Sequence, residues 1–452
     1  MNKHIIIGRF NLTDKFSKSP DENRIVTIID LFSKNKGLNF GIGSALNDLI
    51  SFGVLPSEKG LDFLILGALV FAADTRISRK TESQDSWTRE IQLVIPVSEP
   101  DKWQDAIPLL ERMLRFLTGD IWTFNFIPRP RGFSKLILAK SKMIKRSYSE
   151  LALFSGGLDS LIGAIDALES GQKPLFISHV GDGQTSSAQD ACLNELKKKY
   201  GEDSFKRLRV WMNFPGQLVR EIDSENTMRG RSFLFFSIGV FAGSGFSNSF
   251  LLRAPENGLI ALNVPLDPLR LGSLSTRTMH PFYLACWNEL LEKMEIPGHI
   301  ENPYWDKTKG EMVAACLNSK LLKKIIPMTL SCSSPAKGRW NKHSNEQCGY
   351  CLPCLIRRAG IEKALGRGKD PTRYTISDLT SHKLNAQQAE GHLIRSFQFA
   401  IERLRADPSL YKLWIHKPGP LSKLSSEDLE ALAGVYRRGM REVAVLLKNV
   451  RT

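Results

Sequence analysis

The sequence predicts an α/β protein whose central domain is a doubly wound parallel sheet with a four-cysteine zinc site. Segments typical of strands and of helices alternate from about 148 to 365. A glycine-rich turn follows the first of these strands, and four cysteines lie near the end of the segment. Strands that alternate with helices form parallel sheets, because each parallel connection needs a crossover. We expect an N-terminal α+β accessory domain over 1–132, the central domain over 148–365 and a helical C-terminal segment over 375–452.

Length and composition are those of a globular protein with two or three domains. The chain has 452 residues, of which 42% are hydrophobic and 24% are charged. Its longest apolar run, Phe63–Ala73, is too short to span a bilayer and predicts a buried helix. The first residues lack the apolar stretch of a signal peptide, so we expect a cytoplasmic protein without membrane contact.

The net charge of +15 favours an anionic partner such as ATP, a tRNA or an acidic protein surface. Basic residues are spread along the chain, and no signature of an RRM or KH domain is present. Nucleic acid therefore stays open as a partner, but no motif indicates it.

The N-terminal region shows its own pattern of strands and helices and no catalytic constellation. The predicted elements are two strands, a helix, a third strand, an amphipathic helix and a linker: Ile5–Ile7, Ile25–Ile29, Leu61–Ala73, Trp87–Val97, Trp103–Leu117 and Pro128–Gly132.

A phosphate-binding loop is predicted where the strand Leu151–Phe154 runs into a helix. The turn between them consists of Ser155, Gly156, Gly157, Leu158, Asp159 and Ser160. The two glycines let backbone N–H groups approach an anion closely, and the helix dipole favours negative charge there. The serines add hydroxyl donors, and Asp159 can hold Mg²⁺ or orient an attacking group. The lysine of a Walker A loop is absent, which argues against an ordinary kinase or GTPase loop.

The rest of the central domain continues the alternation, with strands over Pro174–Ser178 and Leu208–Trp211 and a helix over 187–200. In such a sheet ligands bind at the carboxyl ends of the strands, where the glycine turn lies. After 375 the sequence predicts helices interrupted at Pro418–Pro420. We interpret them as a packed appendage, with a partner-binding module as the alternative.

The cysteines fall into two groups. Cys332, Cys348, Cys351 and Cys354 have the spacing C-x15-C-x2-C-x2-C, which predicts a tetrahedral zinc site. A closed shell of four thiolates leaves no position for water, so the predicted role is structural. The other three, interpreted as reduced core residues, are Cys192, Cys286 and Cys316.

The region from about 150 to 365 resembles the 7-cyano-7-deazaguanine synthase (QueC) family of PP-loop ATP pyrophosphatases. Four motifs in the family's order carry the resemblance: Ser155–Ser160, Arg231–Leu234, Lys307–Glu311, and Cys332 with Cys348–Arg357. The longer architecture resembles the QueC-like, QatC-type proteins of bacterial anti-phage operons. That likeness is strengthened by four further segments: Ala72–Arg76, Trp87–Ile91, Phe116–Asp120 and Ser275–Pro281.

The resemblance implies that the chain uses ATP and Mg²⁺ to adenylate the carboxylate of a 7-carboxy-7-deazaguanine, and carries Zn²⁺. In the anti-phage group it implies transfer to an amine of a partner protein from the same operon. The alternatives are a nitrile-forming synthase of queuosine biosynthesis and a catalytically inactive nucleotide-binding scaffold.

The residues that the resemblance assigns fall into three roles. Catalytic roles fall to Asp159, Lys309 and Arg231, and ATP binding to Ser155, Gly156, Gly157, Leu158, Asp159 and Ser160. Substrate contacts fall to Gln184, Glu256, Asn263 and Arg277. Arg357 is a further candidate partner for phosphate or carboxylate. His179 and His280 are candidate bases, with a structural role as the alternative for each.

Overall fold

A computed structural model of the chain describes residues 3–11, 24–83, 85–138, 147–181, 183–219, 222–225, 227–266, 277–333 and 346–452. It is an α/β protein with two parallel sheets, of which the alternation of strands and helices in the sequence predicted the one in the central domain. None of the helices in this described part combines the length and apolar character needed to cross a bilayer.

The first sheet is built from the N-terminal region. In the described chain its elements are β1 (Lys3–Arg9), β2 (Arg24–Asp30), the short pair β3 (Phe32–Ser33) and β4 (Gly37–Leu38), α1 (Ile42–Ser51), α2 (Glu58–Arg76), α3 (Arg79–Glu82), β5 (Glu90–Val97), α4 (Pro100–Thr118) and β6 (Ile121–Pro128). The sheet order is β2-β1-β5-β6, and β3 pairs with β4 in an antiparallel hairpin.

The predicted α+β character of this region is wrong. β1 is parallel to β2 and to β5, and β5 is parallel to β6. The helix α4 connects β5 to β6, and α1 and α2 lie between β2 and β5, so these connections are the helical crossovers that parallel pairing needs. Three of the four strands and both long helices were predicted, whereas the strand β6 and the parallel pairing were not.

The second sheet follows. Its described elements are β7 (Glu150–Leu153), α5 (Leu158–Glu169), β8 (Pro174–Val180), α6 (Gly183–Tyr200), β9 (Lys206–Trp211), α7 (Arg231–Gly243), β10 (Phe250–Arg253), α8 (Gly258–Leu262), α9 (Pro281–Lys293), β11 (Gly298–Glu301), α10 (Lys309–Ala315), α11 (Ser319–Ile325), a 3₁₀ turn (Ile326–Met328) and α12 (Leu352–Leu365). The strands pair in the order β11-β10-β7-β8-β9, and all neighbouring pairs are parallel.

Both faces of this sheet are covered, which makes it doubly wound. Leu151 and Leu175 belong to the core that contains α2, α7 and α9. Their chain neighbours Ala152 and Phe176 belong to the core under α5 and α6. Successive strand residues point to opposite faces, so the near-continuous apolar sequence of these strands is explained by burial on both sides.

Two buried helices join the two sheets. Every residue of α2 from Gly60 to Thr75 and every residue of α7 from Phe233 to Gly243 is buried. At Gly67 an added Cβ would lie 2.6 Å from the side chain of Ser237, so the helices approach closely there. One hydrophobic core therefore runs from the first sheet into the second.

The C-terminal segment forms a second core with the cysteine-bearing part of the chain. Its helices in the described residues are α13 (Ala389–Ala406), α14 (Leu410–Trp414) and α15 (Ser426–Leu446), with the predicted break around Pro418–Pro420. Cys354 and Leu355 of α12 pack in the same cluster as Phe397 and Tyr436. The domain limits 1–132, 148–365 and 375–452 remain predictions.

Candidate active site

The strand order places a crevice between the carboxyl ends of β7 and β10. From β7 the sheet grows towards β8 and β9 on one side and towards β10 and β11 on the other. Open α/β sheets bind ligands at such a reversal, outside the carboxyl ends of the strands. β7 ends at Leu153 and β10 at Arg253, so the residues that follow them line this crevice.

The glycine turn lies between the end of β7 and the start of α5. Gly156 has φ +81°, and an added Cβ would lie 3.0 Å from the backbone nitrogen of Gln189, so only glycine fits there without strain. The Ser155 hydroxyl accepts from Gly157 N (3.3 Å) and donates to Ser160 Oγ (3.3 Å). The N-cap residue of α5 is Gly157, which has no side chain that could accept from the first N–H groups of the helix. This leaves a compact turn at a helix N-terminus, the geometry of an anion site.

Asp159 connects the turn to the two neighbouring loops. Its Oδ1 accepts a hydrogen bond from Nζ of Lys309. Its Oδ2 accepts from the backbone N–H of Asn257 (3.1 Å) and from its side-chain Nδ2 (2.9 Å). Two predicted catalytic residues, 150 positions apart in sequence, are therefore in direct contact. Asn257 also caps α8 through Ile260 N (3.2 Å), and the sequence analysis did not single it out.

Glu256 is the second carboxyl group of the crevice. The Oε2 atom is buried and has no hydrogen-bond partner among the described residues. The backbone of Glu256 is held by Asn302, whose Oδ1 accepts from Glu256 N (3.1 Å) and whose Nδ2 donates to Glu256 O (2.7 Å). The pKa of Glu256 is raised to about 8, first by burial and then by the charge of Asp159, while Lys309 acts in the opposite direction.

Lys309 is the first residue of α10, and two elements hold it there. Thr308 and Glu311 form a capping box at the start of the helix. Glu442 of α15 accepts from the Thr308 hydroxyl (2.5 Å) and from Gly310 N (3.3 Å). Lys309 is buried, as is Gly360 of α12, where an added Cβ would lie 2.6 Å from Lys309 Cγ. The C-terminal segment thus fixes the start of the helix that carries this lysine.

The four cysteines of the predicted zinc site come together. Their Sγ atoms all lie within 4.8 Å of one another. The Cys332–Cys351 and Cys348–Cys354 separations are both 3.9 Å. Four sulfurs at about 2.3 Å from a tetrahedral Zn²⁺ lie about 3.8 Å apart, so these two separations match such a site.

The cysteine cluster is also connected to the glycine turn. Ser331, which precedes Cys332, accepts at Oγ from Leu158 N, the first residue of α5 (3.3 Å). Gln347, which precedes Cys348, accepts from Ser331 N (3.2 Å) and donates to Thr329 O (3.1 Å). The sequence analysis missed both residues, because nothing in the local sequence marks a contact across 173 positions.

Arg357 contacts Ser331, the residue that connects the cysteine cluster to the glycine turn. It donates to Ser331 Oγ (3.1 Å), Ile326 O (2.9 Å) and Thr372 Oγ1 (3.0 Å). The side chain is fully buried and its bonds go to neutral oxygens, so Arg357 is a positioning residue for Ser331.

Arg231 and Gln184 lie beyond the end of β8, on the same edge of the sheet as the glycine turn. Arg231 begins α7, stacks over Phe235 at 5.5 Å and lies so close to Gly181 that an added Cβ would be 3.4 Å from its Nη2. Gln184 lies in the first turn of α6, and its Oε1 is buried without a hydrogen-bond partner in the described chain. Neither residue makes a hydrogen bond to Asp159, Lys309 or Glu256 within the described ranges.

The other two predicted substrate residues, Asn263 and Arg277, make their contacts with other parts of the chain. Asn263 ends α8 in a left-handed conformation (φ +43°), and its N–H bonds to Leu259 O (3.2 Å). Arg277 donates to Phe116 O (2.8 Å) and stacks on the Phe116 ring at 4.8 Å, against α4 of the first sheet. The structure therefore does not bring Arg277 into the Asp159 contact network, and Ser275 and Thr276 of its motif lie outside the described residues.

Both candidate histidines are buried and neutral. The pKa of His179 falls to about 3 because of burial and then the charge of Arg231, and burial and then Arg277 lower that of His280 to about 3. Nδ1 of His280 accepts from Phe282 N (3.2 Å) and caps α9. These environments favour the structural role for each.

The three N-terminal motifs of the QatC-type resemblance meet in one buried ion-pair cluster. Asp120 binds Arg79 (2.8 Å) and Arg89 (2.7 Å), and Asp74 binds Arg89 (2.9 Å). Burial lowers the pKa of Arg89, but Asp120 and Asp74 outweigh that effect and raise it above the ordinary value. The second oxygen of Asp74 accepts from Gly230 N (2.6 Å), directly before Arg231. The motifs therefore hold the segment that leads into α7.

No protein-family model matches the chain, and no curated protein matches it significantly.

Proposed function

We propose that the chain is an ATP-dependent enzyme that adenylates the carboxylate of a 7-carboxy-7-deazaguanine and transfers the acyl group to an amine. The acceptor is an amine of a partner protein, and the setting is bacterial anti-phage defence. The observation that carries the proposal is the contact of Asp159 with Lys309 and Asn257 at the switch point of the sheet. The motif resemblance of the sequence supports the choice of substrate.

The residues of the crevice suit the first step. The N–H groups at the start of α5 and the ammonium of Lys309 can bind the phosphates of ATP. An oxygen of the substrate carboxylate attacks the α-phosphorus, the α–β phosphate bridge breaks, and pyrophosphate leaves. Asp159 has the ligand chemistry for Mg²⁺, which when bound would neutralise charge on the pyrophosphate.

The second step needs a proton acceptor. The amine nitrogen attacks the acyl carbon, the C–N bond forms and the C–O bond to AMP breaks. One proton of the amine must then be removed. Glu256 has a pKa raised to about 8, so its deprotonated form is basic enough to take this proton, and its protonated form can donate a hydrogen bond to the bound substrate.

The test is a product analysis of the purified protein with ATP, Mg²⁺ and 7-carboxy-7-deazaguanine. AMP and pyrophosphate are quantified, and ammonium or the proteins of neighbouring genes are added in turn before intact-mass measurement. A deazaguanine-sized adduct on a partner protein with release of AMP supports the proposal. Free nitrile with ammonium and no adduct favours the nitrile-forming synthase, and no AMP under any condition favours the inactive scaffold.

Asp159→Asn gives the test a matched comparison. The substitution removes the charge that faces Lys309, and we expect AMP formation to fall by about 100-fold or more. Glu169→Gln is the control, because it lies at the other end of α5 and its contacts to Tyr200 (2.6 Å) and Asn318 (2.6 Å) can be kept by an amide. Equal activity of the two variants would remove Asp159 from the mechanism.

A further inference from the structure

The C-terminal helices line a groove of about 740 Å³. We call it the α13–α15 groove. Its floor is apolar and is formed by Ile401 and Leu404 of α13 and by Ala433, Met440 and Ala444 of α15. Tyr411 of α14 closes one end, packed edge-on against Tyr436.

The rim of the groove is basic. Arg405, Arg437, Arg441 and Lys448 line it and are all exposed. None of these four makes an ion pair within the part of the chain that the structure describes. The acidic lining residue, Glu430, is already paired with Lys412.

On α15, cationic side chains and an exposed apolar side chain lie next to each other. Arg437, Arg441 and Val445 recur at intervals of four residues and so share one face of α15, and Lys448 lies in the turn that follows the helix. Val445 is 77% exposed and Leu413, near the groove, is 62% exposed. An aliphatic floor with exposed apolar residues and an unpaired cationic rim is an incomplete interface.

We propose that the α13–α15 groove binds an acidic, amphipathic segment of a partner protein. Apolar side chains of the segment cover the floor, and its carboxylates pair with the four rim cations. A second copy of this chain fits poorly, since each copy carries a net charge of +15. Nucleic acid fits less well than a peptide because the floor is aliphatic and Tyr411, the aromatic residue of the lining, is packed edge-on against Tyr436.

The groove and the candidate active site share α15. Arg438 donates to Glu311 (3.1 Å), and Glu442 accepts from the Thr308 hydroxyl at the start of α10. These two residues directly follow the rim residues Arg437 and Arg441 in the sequence. A segment bound in the groove therefore lies against the helix that positions Lys309. The binding proposal itself does not depend on the adenylation chemistry.

The experiment measures binding of defined probes to the full chain without ATP. The main probe is a fluorescent amphipathic peptide of leucine and glutamate, about 18 residues long. Three comparison probes are the same pattern with lysine for glutamate, a glutamate–serine peptide without an apolar face, and a single-stranded RNA. We expect saturable binding of the leucine–glutamate peptide alone, weakened when salt rises from about 50 to about 300 mM.

The variant Arg437→Glu/Arg441→Glu should weaken that binding by about 10-fold or more. Lys320→Glu/Lys323→Glu on α11 makes the same change of net charge at exposed positions outside the groove, and should change it by less than about 2-fold. Thermal unfolding of both variants checks that they are folded, and a folded control rules out an effect of net charge alone.

Several results would overturn the proposal. They are equal weakening by both double variants, equal binding of the lysine peptide, or failure of the leucine–glutamate peptide to bind. Binding of the RNA that is lost only in the groove variant would assign the surface to nucleic acid. Since ATP is absent from every arm, failure here leaves the adenylation proposal to its own test.

Discussion

Glu256 and Asp159, the two carboxyl groups of the crevice, differ in their hydrogen-bond partners. Asp159 has Lys309 on one oxygen and Asn257 on the other, so its negative charge is well partnered. Glu256 has a buried Oε2 without such a partner in the described chain, and Asp159 is close enough to raise its pKa further. The two acids of the crevice thus have different surroundings, and only Glu256 is placed where burial favours its protonated form.

This difference predicts a pH dependence of stability. The pKa of Glu256 is raised to about 8 from the ordinary value of 4.5. Between these values the unfolded chain releases a proton that the folded chain keeps, so the free energy of unfolding falls as pH rises through the window. Glu256→Gln cannot lose a proton. We therefore expect the wild type to lose stability relative to this variant as pH rises from about 5 to about 9.

Denaturant unfolding of both proteins across that range gives the measurement. Glu292→Gln, on the exposed side of α9, controls for the general effect of removing one carboxylate. Parallel stability curves for the wild type and Glu256→Gln would show that the side chain is ionised at neutral pH and would remove it as a proton acceptor near pH 8.

The residues of this crevice differ in whether the sequence alone could single them out. Asp159 and Lys309 were singled out because each lies in a short motif, and the structure brings them into contact; their catalytic roles remain predictions. Asn257 and Ser331 could not be singled out in this way, since each acts on a group 98 or 173 positions away and stands in an ordinary turn. Arg277 was predicted in the substrate pocket but stacks on Phe116, a contact that only the packing of α9 against α4 creates.

At the scale of elements, three helix ends define the candidate site. At the start of α5 the N–H of Leu158 donates to Ser331. The helix α8 begins with the Asn257 cap, and α10 begins with the capping box at Thr308. Capping signals are local, so the start of α10 could be read from the sequence. The pairing of strands is not local, and this is why the first sheet was predicted as α+β although three of its four strands and both long helices were recognised.

The cysteine cluster acts on α5 through Ser331 and Gln347, which directly precede Cys332 and Cys348. Zinc removal by a chelator should release these two residues and so free the start of α5. We expect amide hydrogen exchange over residues 155–159 to rise by about 10-fold or more, and to return on addition of zinc.

Substituted chains check that this effect comes from the cluster. Cys351→Ser should raise exchange in the turn and lower the zinc content measured by mass spectrometry. Cys316→Ser, a buried cysteine outside the cluster, should do neither. Unchanged exchange in the zinc-free chain would show that the turn holds its shape without the metal.

At the scale of the whole molecule, the first sheet supports the second. Residues 74–79 hold much of the connection between β9 and α7. Thr75 O accepts from Glu225 N (3.1 Å), and Arg76 donates to Phe214 O (2.6 Å) and Pro215 O (2.8 Å). Asp74 then binds Gly230 N next to Arg231. The first sheet thereby reaches the carboxyl edge of the second sheet, a role that the sequence analysis left unassigned.

This arrangement predicts that the two sheets unfold together. Asp120→Asn leaves Arg79 and Arg89 buried with a weakened partner, and breaking a buried ion pair costs about 3–5 kcal/mol of unfolding free energy. Because α2 and α7 share one core, calorimetry should show a single transition for both sheets that moves to lower temperature in the variant. Asp101→Asn, on the exposed side of α4, is the control and should leave the transition in place. If the variant instead lowers one transition while a second stays at the wild-type temperature, the first sheet is an independent domain. Its contacts to the β9–α7 connection would then not be needed to keep the second sheet folded.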